Sequence, residues 1–393
     1  MKRLCKILLF LVVVAVSGTL IFKYSYKLTQ DDFITDRTTF IYSNKNINEE
    51  KLRKFEQIFG TNYIKEKDII EKIDNICLLS QSKIYSGRVD VIGIIDTGFY
   101  YPFMYLKLQK YFDMRNDYSY ELKDKFKEEL GISQKDEIYL KAYRGLFFIG
   151  TDIEKIDEII YNKNKLSYKA INILNEKANS ELGVLMLNQE RERLFGIDRI
   201  VISGGIKDNK ICLDGYIYGS NDIIKDLSEQ PKERRMNKYI GNNRLYFSTA
   251  NLNQMDTFIL RALSYKEHIT NNTNLIQELF AKGFVDMMSE LNGEVVIDLE
   301  NGNYLLGLKS SKDAEMFADY LKNDEYINIE RDKQGNIYIC IGKDTFKPDE
   351  KAKQMKDNQF LSGKIDTYYG KVELDGFYGE KVLNIKAIIE TEK

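Results

Sequence analysis

The chain says one thing twice. FIYSNKNIN (residues 40–48) returns as LYFSTANLN (residues 245–253), with serine over serine, asparagine over asparagine twice, and aliphatic or aromatic residues over their own kind. Further segments repeat in the same order. KAINILNEKANSELGVLMLN, from Lys169, lies over DEKAKQMKDNQFLSGKIDT, from Asp349, and each reads as a helix feeding a strand. Each is followed by a meander of strands, RIVISGGIKDNKICLDGYIYG in the first half and KVELDGFYGEKVLNIKAIIE in the second. An ordered match of several elements implies a duplication, and two copies are too few for a solenoid. The spacing narrows between the repeats, so the second copy has lost residues internally.

The expected fold is therefore α+β: an N-terminal transmembrane anchor, then two pseudo-repeated modules of antiparallel sheet with helices packed on one face. The expected boundaries are a stub at 1–6, the anchor at 7–23 and a polar tether at 24–37. The first module with its meander then spans 38–222, a linker 223–242, and the second module with its meander 243–393. At 393 residues the chain can bury two cores.

Local patterns fill in the modules. TTFIYS reads as a strand, with Asn46 or Asn48 capping a helix whose stripe is Leu52, Phe55, Ile58 and Phe59. A second helix is expected over 69–79. RVDVIGIID and FYYPFMYLKL read as strands joined at Thr97-Gly98, and 106–112 and 120–130 as helices. EIYLKAYRGLFFIG reads as a hairpin turning at Arg144-Gly145, and Asp152 as the cap of IEKIDEIIYN. In the second copy, helices are expected over 251–263, 275–291 and 311–321. A hairpin with Asn-Gly chemistry joins GEVVIDL to YLLGLK, and NIYICIG reads as a strand.

The N-terminus carries three positive charges in MKRLCK, then an uncharged run, ILLFLVVVAVSGTLIF, over residues 7–22. That length falls between a signal peptide's apolar region and a full membrane span. It reads as an uncleaved signal anchor, because apolar residues continue past the cleavage-like Ala15-Val16-Ser17; a cleaved signal is the competing reading. Either places the rest of the chain outside the cytoplasm. Cys5 precedes the apolar run, unlike a lipoprotein's acylated cysteine. Cys77, Cys212 and Cys340 stand singly in apolar contexts and read as isolated buried thiols.

The chemistry is sparse. The single histidine, His268, stands at an expected helix end, which leaves little for a histidine metal site or a Cys-His dyad. There is no GxSxG elbow, no GxxxxGK loop and no GxGxxG after a strand. Ser203-Gly204-Gly205 in ISGGIKD reads as a hairpin turn. No cofactor or metal is expected. With 58 basic and 60 acidic side chains well mixed, nothing argues for a nucleic-acid partner.

Candidates for ligand binding are the repeated Ser43, Asn46, Ser248 and Asn251, which capping also explains. The basic loop KERRMNK, with Lys232, Arg234 and Arg235, offers charge to lipid headgroups or wall polymer. Asp96 and Asp298 fall at equivalent hairpin positions. Asp96-Thr97-Gly98 resembles the aspartic-protease triplet, but the second half reads Asp298-Leu299-Glu300 and departs from it.

The MKRLCKILLFLVVV anchor, the strand-plus-NxN openings, LNGEVVIDL with its hairpin and the KYIGNNRLYFSTA lead into the second half together resemble uncharacterised bacterial envelope proteins. Those have a signal anchor and a duplicated α+β ectodomain. The resemblance spans most of the chain and carries no catalytic residues. The expected function is a non-catalytic, membrane-anchored extracytoplasmic protein that binds or scaffolds in the bacterial envelope. Its partners would be the membrane through the anchor, and an envelope protein, a wall polymer or a lipid. The alternatives are an envelope hydrolase using a carboxylate pair and a carrier of lipid or another apolar ligand.

Overall fold

The structure is a computed structural model. It describes residues 13–14, 17–18, 27–51, 53–54, 72–82, 90–115, 119–129, 132–162, 164–188, 197–208, 210–219, 228–231, 233–250, 290–310, 327–342, 346–349, 352, 355–367, 370–379 and 382–391. It is mostly antiparallel sheet with a few helices, and it divides into two compact units: residues 1–191 with 203–205, and 192–202 with 206–393.

The first unit holds β1 (Phe40–Lys45), β2 (Asn75–Ser80), β3 (Ile92–Asp96), β4 (Phe112–Met114), β5 (Ser119–Leu122), β6 (Tyr139–Tyr143), β7 (Leu146–Gly150) and β8 (Val184–Asn188). They pair in the order β8-β1-β2-β3-β7-β6-β5-β4, each neighbour antiparallel. Among the described residues its helices include α1 (Tyr101–Leu108), α2 (Asp124–Glu129), α3 (Ile153–Tyr161) and α4 (Tyr168–Lys177).

The second unit holds β9 (Ile197–Lys207, shared at 203–205), β10 (Lys210–Gly219), β11 (Arg244–Ser248), β12 (Leu291–Asp298), β13 (Asn303–Leu308), β14 (Ile327–Arg331), β15 (Ile337–Ile341), β16 (Gln359–Thr367), β17 (Gly370–Tyr378) and β18 (Val382–Thr391). From β14 the order runs β14-β15-β13-β12-β11-β16-β17-β18-β10, all antiparallel, and β10 also pairs with β9. One run of pairing recurs. β8-β1-β2-β3-β7-β6 in the first unit has the order of β16-β11-β12-β13-β15-β14 in the second, matched strand for strand along the chain.

Several local expectations hold. β6 and β7 form a hairpin whose turn residues, Arg144 (φ 44°) and Gly145 (φ 86°), are both left-handed, as a tight hairpin turn requires. Asp152 caps α3 by accepting from the Glu154 N–H (2.9 Å) and the Lys155 N–H (3.3 Å), and α3 buries Ile156, Ile159 and Ile160. Asn48 accepts from the Lys51 N–H at 2.9 Å and caps the helix that starts at residue 49. The β12–β13 hairpin turns at Asn301-Gly302, with Gly302 at φ 67°.

Others are corrected. Residues 75–80 are β2 rather than helix; NICLLS follows an isoleucine-rich stretch whose helical spacing runs on into it. FYYPFMYLKL is not a strand: a 3-10 turn over Gly98–Tyr100 leads into α1, and Pro102 sits in the first helical turn, where its missing N–H has no partner to lose. Strand β4 begins at residue 112, where the helix expected over 106–112 was to end, and β5 takes residues 120–122 of the helix expected over 120–130. Ser203-Gly204-Gly205 lies within β9, and the chain turns after it, at Asp208 (φ 52°). Asp96 ends β3 while Asp298 ends β12, so the two are not topological equivalents. The helices expected over 251–263 and 311–321, and residues 275–289 of the one expected over 275–291, lie outside the described residues; Glu290 is helical, and Leu291 is corrected to the first residue of β12.

The helices expected on one face instead flank both faces of the first sheet. On one face Tyr101 of α1 packs on Phe147 with ring centroids 4.8 Å apart, beside Ile95 and Ile149. On the other, Ile156 of α3 meets the Ile92 and Gly150 position. Side chains alternate across a strand, so neighbours in sequence serve opposite faces.

The anchor expected at 7–23 lies almost wholly outside the described residues, of which 13–14 and 17–18 are helical. Among the described residues no helix is long and apolar enough to cross a membrane.

Candidate interaction surface

Residues 27–37, expected as a polar tether from residue 24, are packed onto the first unit. Gln30, Phe33, Ile34, Thr35 and Thr38 are buried. Phe33 meets Phe148 of β7 edge-on at 4.8 Å, on the face that α3 also covers. The Leu28 N–H donates to the Arg144 carbonyl at 3.1 Å, and Leu166 N–H donates to Ile34 at 3.0 Å. The Gln30 amide donates to the Ile94 carbonyl at 2.9 Å. Lys27 pairs with Asp96 at 2.6 Å, Lys45 with Asp31 at 3.2 Å and Lys165 with Asp32 at 2.7 Å. Burial alone would push the Asp32 carboxyl up; hydrogen bonds from Lys165 and Thr29 outweigh it and hold the group below the ordinary carboxylate value.

The segment before β11 is docked in the same way. A 3-10 turn over Asn237–Tyr239 precedes β11, as one over Gln30–Phe33 precedes β1. Met236, Tyr239 and Ile240 are buried against Tyr246, Val296, Leu305, Tyr338 and Phe346. The clamp here is Glu294 of β12, 0 % exposed. One carboxylate oxygen accepts from the Met236 N–H (2.9 Å) and the Tyr246 hydroxyl (3.1 Å), the other from the Arg235 N–H (3.0 Å) and the Asn292 amide (3.2 Å). Burial pushes Glu294 up against the pull of these bonds, and burial also pushes the Tyr246 hydroxyl up. Nearby, Lys238 pairs with Asp332, which also accepts from Asn336 (2.8 Å) and the Tyr338 hydroxyl (2.8 Å). Burial opposes ionisation of Asp332, but these partners win and hold it below its ordinary value, while burial pushes Tyr239 up to about 12.

The residues singled out in sequence are distributed as follows. Ser43 and Ser248 occupy matching buried positions in β1 and β11. Ser248 donates to the Gln230 side chain at 3.0 Å. Asn46 is exposed at φ 56° and donates to the Asn179 side chain at 2.7 Å. Asn251 and Lys232 lie outside the described residues. Arg234 is committed to structure: its guanidinium donates to the carbonyls of Lys356 (2.6 Å) and Asp357 (2.7 Å) and to Gln230 (2.8 Å). Arg235 pairs with Glu233 at 2.8 Å. Asp96 accepts from the Gly98 N–H (2.8 Å) besides Lys27, and Asp298 from the N–H groups of Glu300 (3.1 Å) and Asn301 (3.0 Å), so both shape turns. Cys77 and Cys340 are buried thiols outside any disulfide, Cys212 is half-buried rather than buried as expected, and burial pushes Cys77 well up.

The surface that sequence reading missed is on α1 and the turn before it. Met104 is buried, and Tyr101, Tyr105 and Leu108 pack beneath the helix. Yet Phe99, Tyr100, Phe103 and Leu106 are exposed by 58, 49, 53 and 68 %. A helix apolar on its inner and its outer faces is ordinarily buried all round. The signal was the acid-free run GFYYPFMYLKLQKYF, hidden by its aromatic content, which suits strands.

Comparison with known proteins adds little. No family model matches the chain, and no curated protein matches it. Among solved structures, crystal form IV of TP0453 is similar at TM-score 0.31 and 8% identity, over 46% of this chain and 76% of that one. Crystal form I of TP0453 is similar at TM-score 0.32 and 7% identity, over 49% and 80%. Likeness at that level assigns neither fold nor activity to this chain.

Proposed function

We propose that the protein is a membrane-anchored extracytoplasmic binding or scaffolding protein built on a duplicated α+β plan. The duplication is supported by the shared strand order of the two units and by the docked 3-10 turn before the opening strand of each. The membrane reading rests on one observation above all: the apolar run at 7–22 is followed within five residues by a segment fixed to the first unit from Lys27 onward. A connection this short would hold the first unit close to a retained anchor. The test is fractionation of native cells with alkaline carbonate extraction, followed by external protease on spheroplasts. The reading expects the chain in the extracted membrane pellet, with 27–393 digested from outside. A chain recovered in the soluble fraction, or protected from external protease, would overturn it.

A further inference from the structure

We infer that the outward face of α1, with Phe99 and Tyr100 of the preceding turn, rests in the headgroup region of the bilayer that holds the anchor. The inference rests on the membrane-anchored reading and adds to it a second, peripheral membrane contact and an orientation.

The argument starts from where the chain enters the first unit. Lys27 pairs with Asp96 at the end of β3, and Leu28 bonds to Arg144 in the β6–β7 turn. In the sheet register Asp96 stands opposite Leu146 and Asn75, so these contacts mark one end of the sheet. The Gly98–Tyr100 turn leaves the same end two residues later. From Phe22, the last apolar residue, to Lys27 an extended chain reaches at most about 17 Å. From Asp96 to Phe99 it reaches at most about 10 Å. The exposed aromatic residues are thus tied closely to the point where an anchor would leave the membrane.

The chemistry of the face fits that bilayer. Phe99, Phe103 and Leu106 recur at helical spacing and, with Tyr100, form a patch of large apolar side chains. Such patches on soluble surfaces mark interaction sites, and aromatic residues favour the membrane–water boundary. Residues 97–112 contain no acidic residue and include Lys107 and Lys110. Lys72 stands over the Phe103 ring at 5.0 Å. Lysines beside an aromatic face suit anionic phospholipid headgroups, with their alkyl stems along the apolar surface.

The test is photocrosslinking of the full chain in its native membrane. Photoreactive benzoylphenylalanine would replace Phe103 in one variant and Tyr168, an aromatic residue 81 % exposed outside α1, in another. Both positions are exposed, so neither replacement disturbs a core. Phospholipid adducts at position 103, with only background at 168, are the expected result. Membrane-bound chain that gives protein adducts, no adduct at 103, or equal lipid adducts at both positions overturns the inference and leaves the anchored reading standing. A chain absent from the membrane fraction overturns both.

Discussion

The segments that lead into β1 and β11 serve the same purpose by different chemistry. Each buries a 3-10 turn with an aromatic-isoleucine pair beside it, Phe33-Ile34 in the first unit and Tyr239-Ile240 in the second. In the first unit the polar restraint is divided among lysine–aspartate pairs, some half-open to water, around Asp31, Asp32 and Asp96. In the second, one fully buried carboxylate accepts four hydrogen bonds, beside a lysine–aspartate pair, Lys238 with Asp332. Distributed partners can be lost one at a time; a buried carboxylate fails as a unit. Both solutions seat the same kind of apolar pair, and we propose that this pair, rather than the charge, sets the position of the segment.

That last statement is the easiest to break. Phe33→Ala empties a buried site against Phe148 and should destabilise the first unit by about 3–5 kcal/mol. Chemical denaturation measures the loss, and hydrogen exchange should localise it to residues 28–38. Protection there unchanged from wild type would show that the ion pairs suffice. Glu294→Gln keeps the shape but turns an N–H₂ toward backbone donors, and should cost about 1–3 kcal/mol, read as faster exchange at Met236–Ile240.

The same substitution sharpens the contrast in pH. Glu294 holds its proton to higher pH when folded than when unfolded, so its contribution is greatest in acid. It declines as pH rises from the ordinary value of 4.5 through the raised one. Asp32 runs the other way. Its contribution is present above the ordinary value of 3.8 and is lost as pH falls below it. Exchange of Met236–Ile240, corrected for the intrinsic rate, should therefore accelerate as pH rises above 4.5 in the wild type and stay flat in Glu294→Gln. The smallest effect belongs to Lys165→Ala, which removes a pair whose lysine is 61% exposed and should shift stability by only about 0.2–1 kcal/mol. A larger loss in denaturation would mean that the first lead-in also depends on one dominant charge.

Much of this plan was legible before the structure. The repeated opening strand, the Arg144-Gly145 and Asn301-Gly302 turns, and the Asp152 cap are local signals, carried by residues that act within a few positions of themselves. What stayed hidden depends on distant partners. Residues 27–37 look polar because Lys27, Asp31 and Asp32 are charged, and only the fold reveals that their partners lie at 96, 45 and 165. Glu294 looks like one more polar residue in an alternating strand, and nothing nearby announces that the backbone of Arg235 and Met236 waits for it. α1 was misread for a different reason: its aromatic residues suit a strand, and its outward face is as apolar as the one it buries, which hides the helical stripe. Ser43 and Ser248 were the reverse case, since the repeat that drew attention to them marks buried strand positions.

The pairing of β10 with β18 joins Lys210 to Glu390 and Tyr218 to Val382, strands more than a hundred residues apart in sequence. Until β18 arrives, both β10 and β17 present a long open edge. Synthesis runs from the N-terminus, so the first unit can close while the second still awaits residues 382–391. β18 is thereby the strand that joins β10 to β17, and a chain without residues 382–391 would carry both of those strands with an unpaired edge.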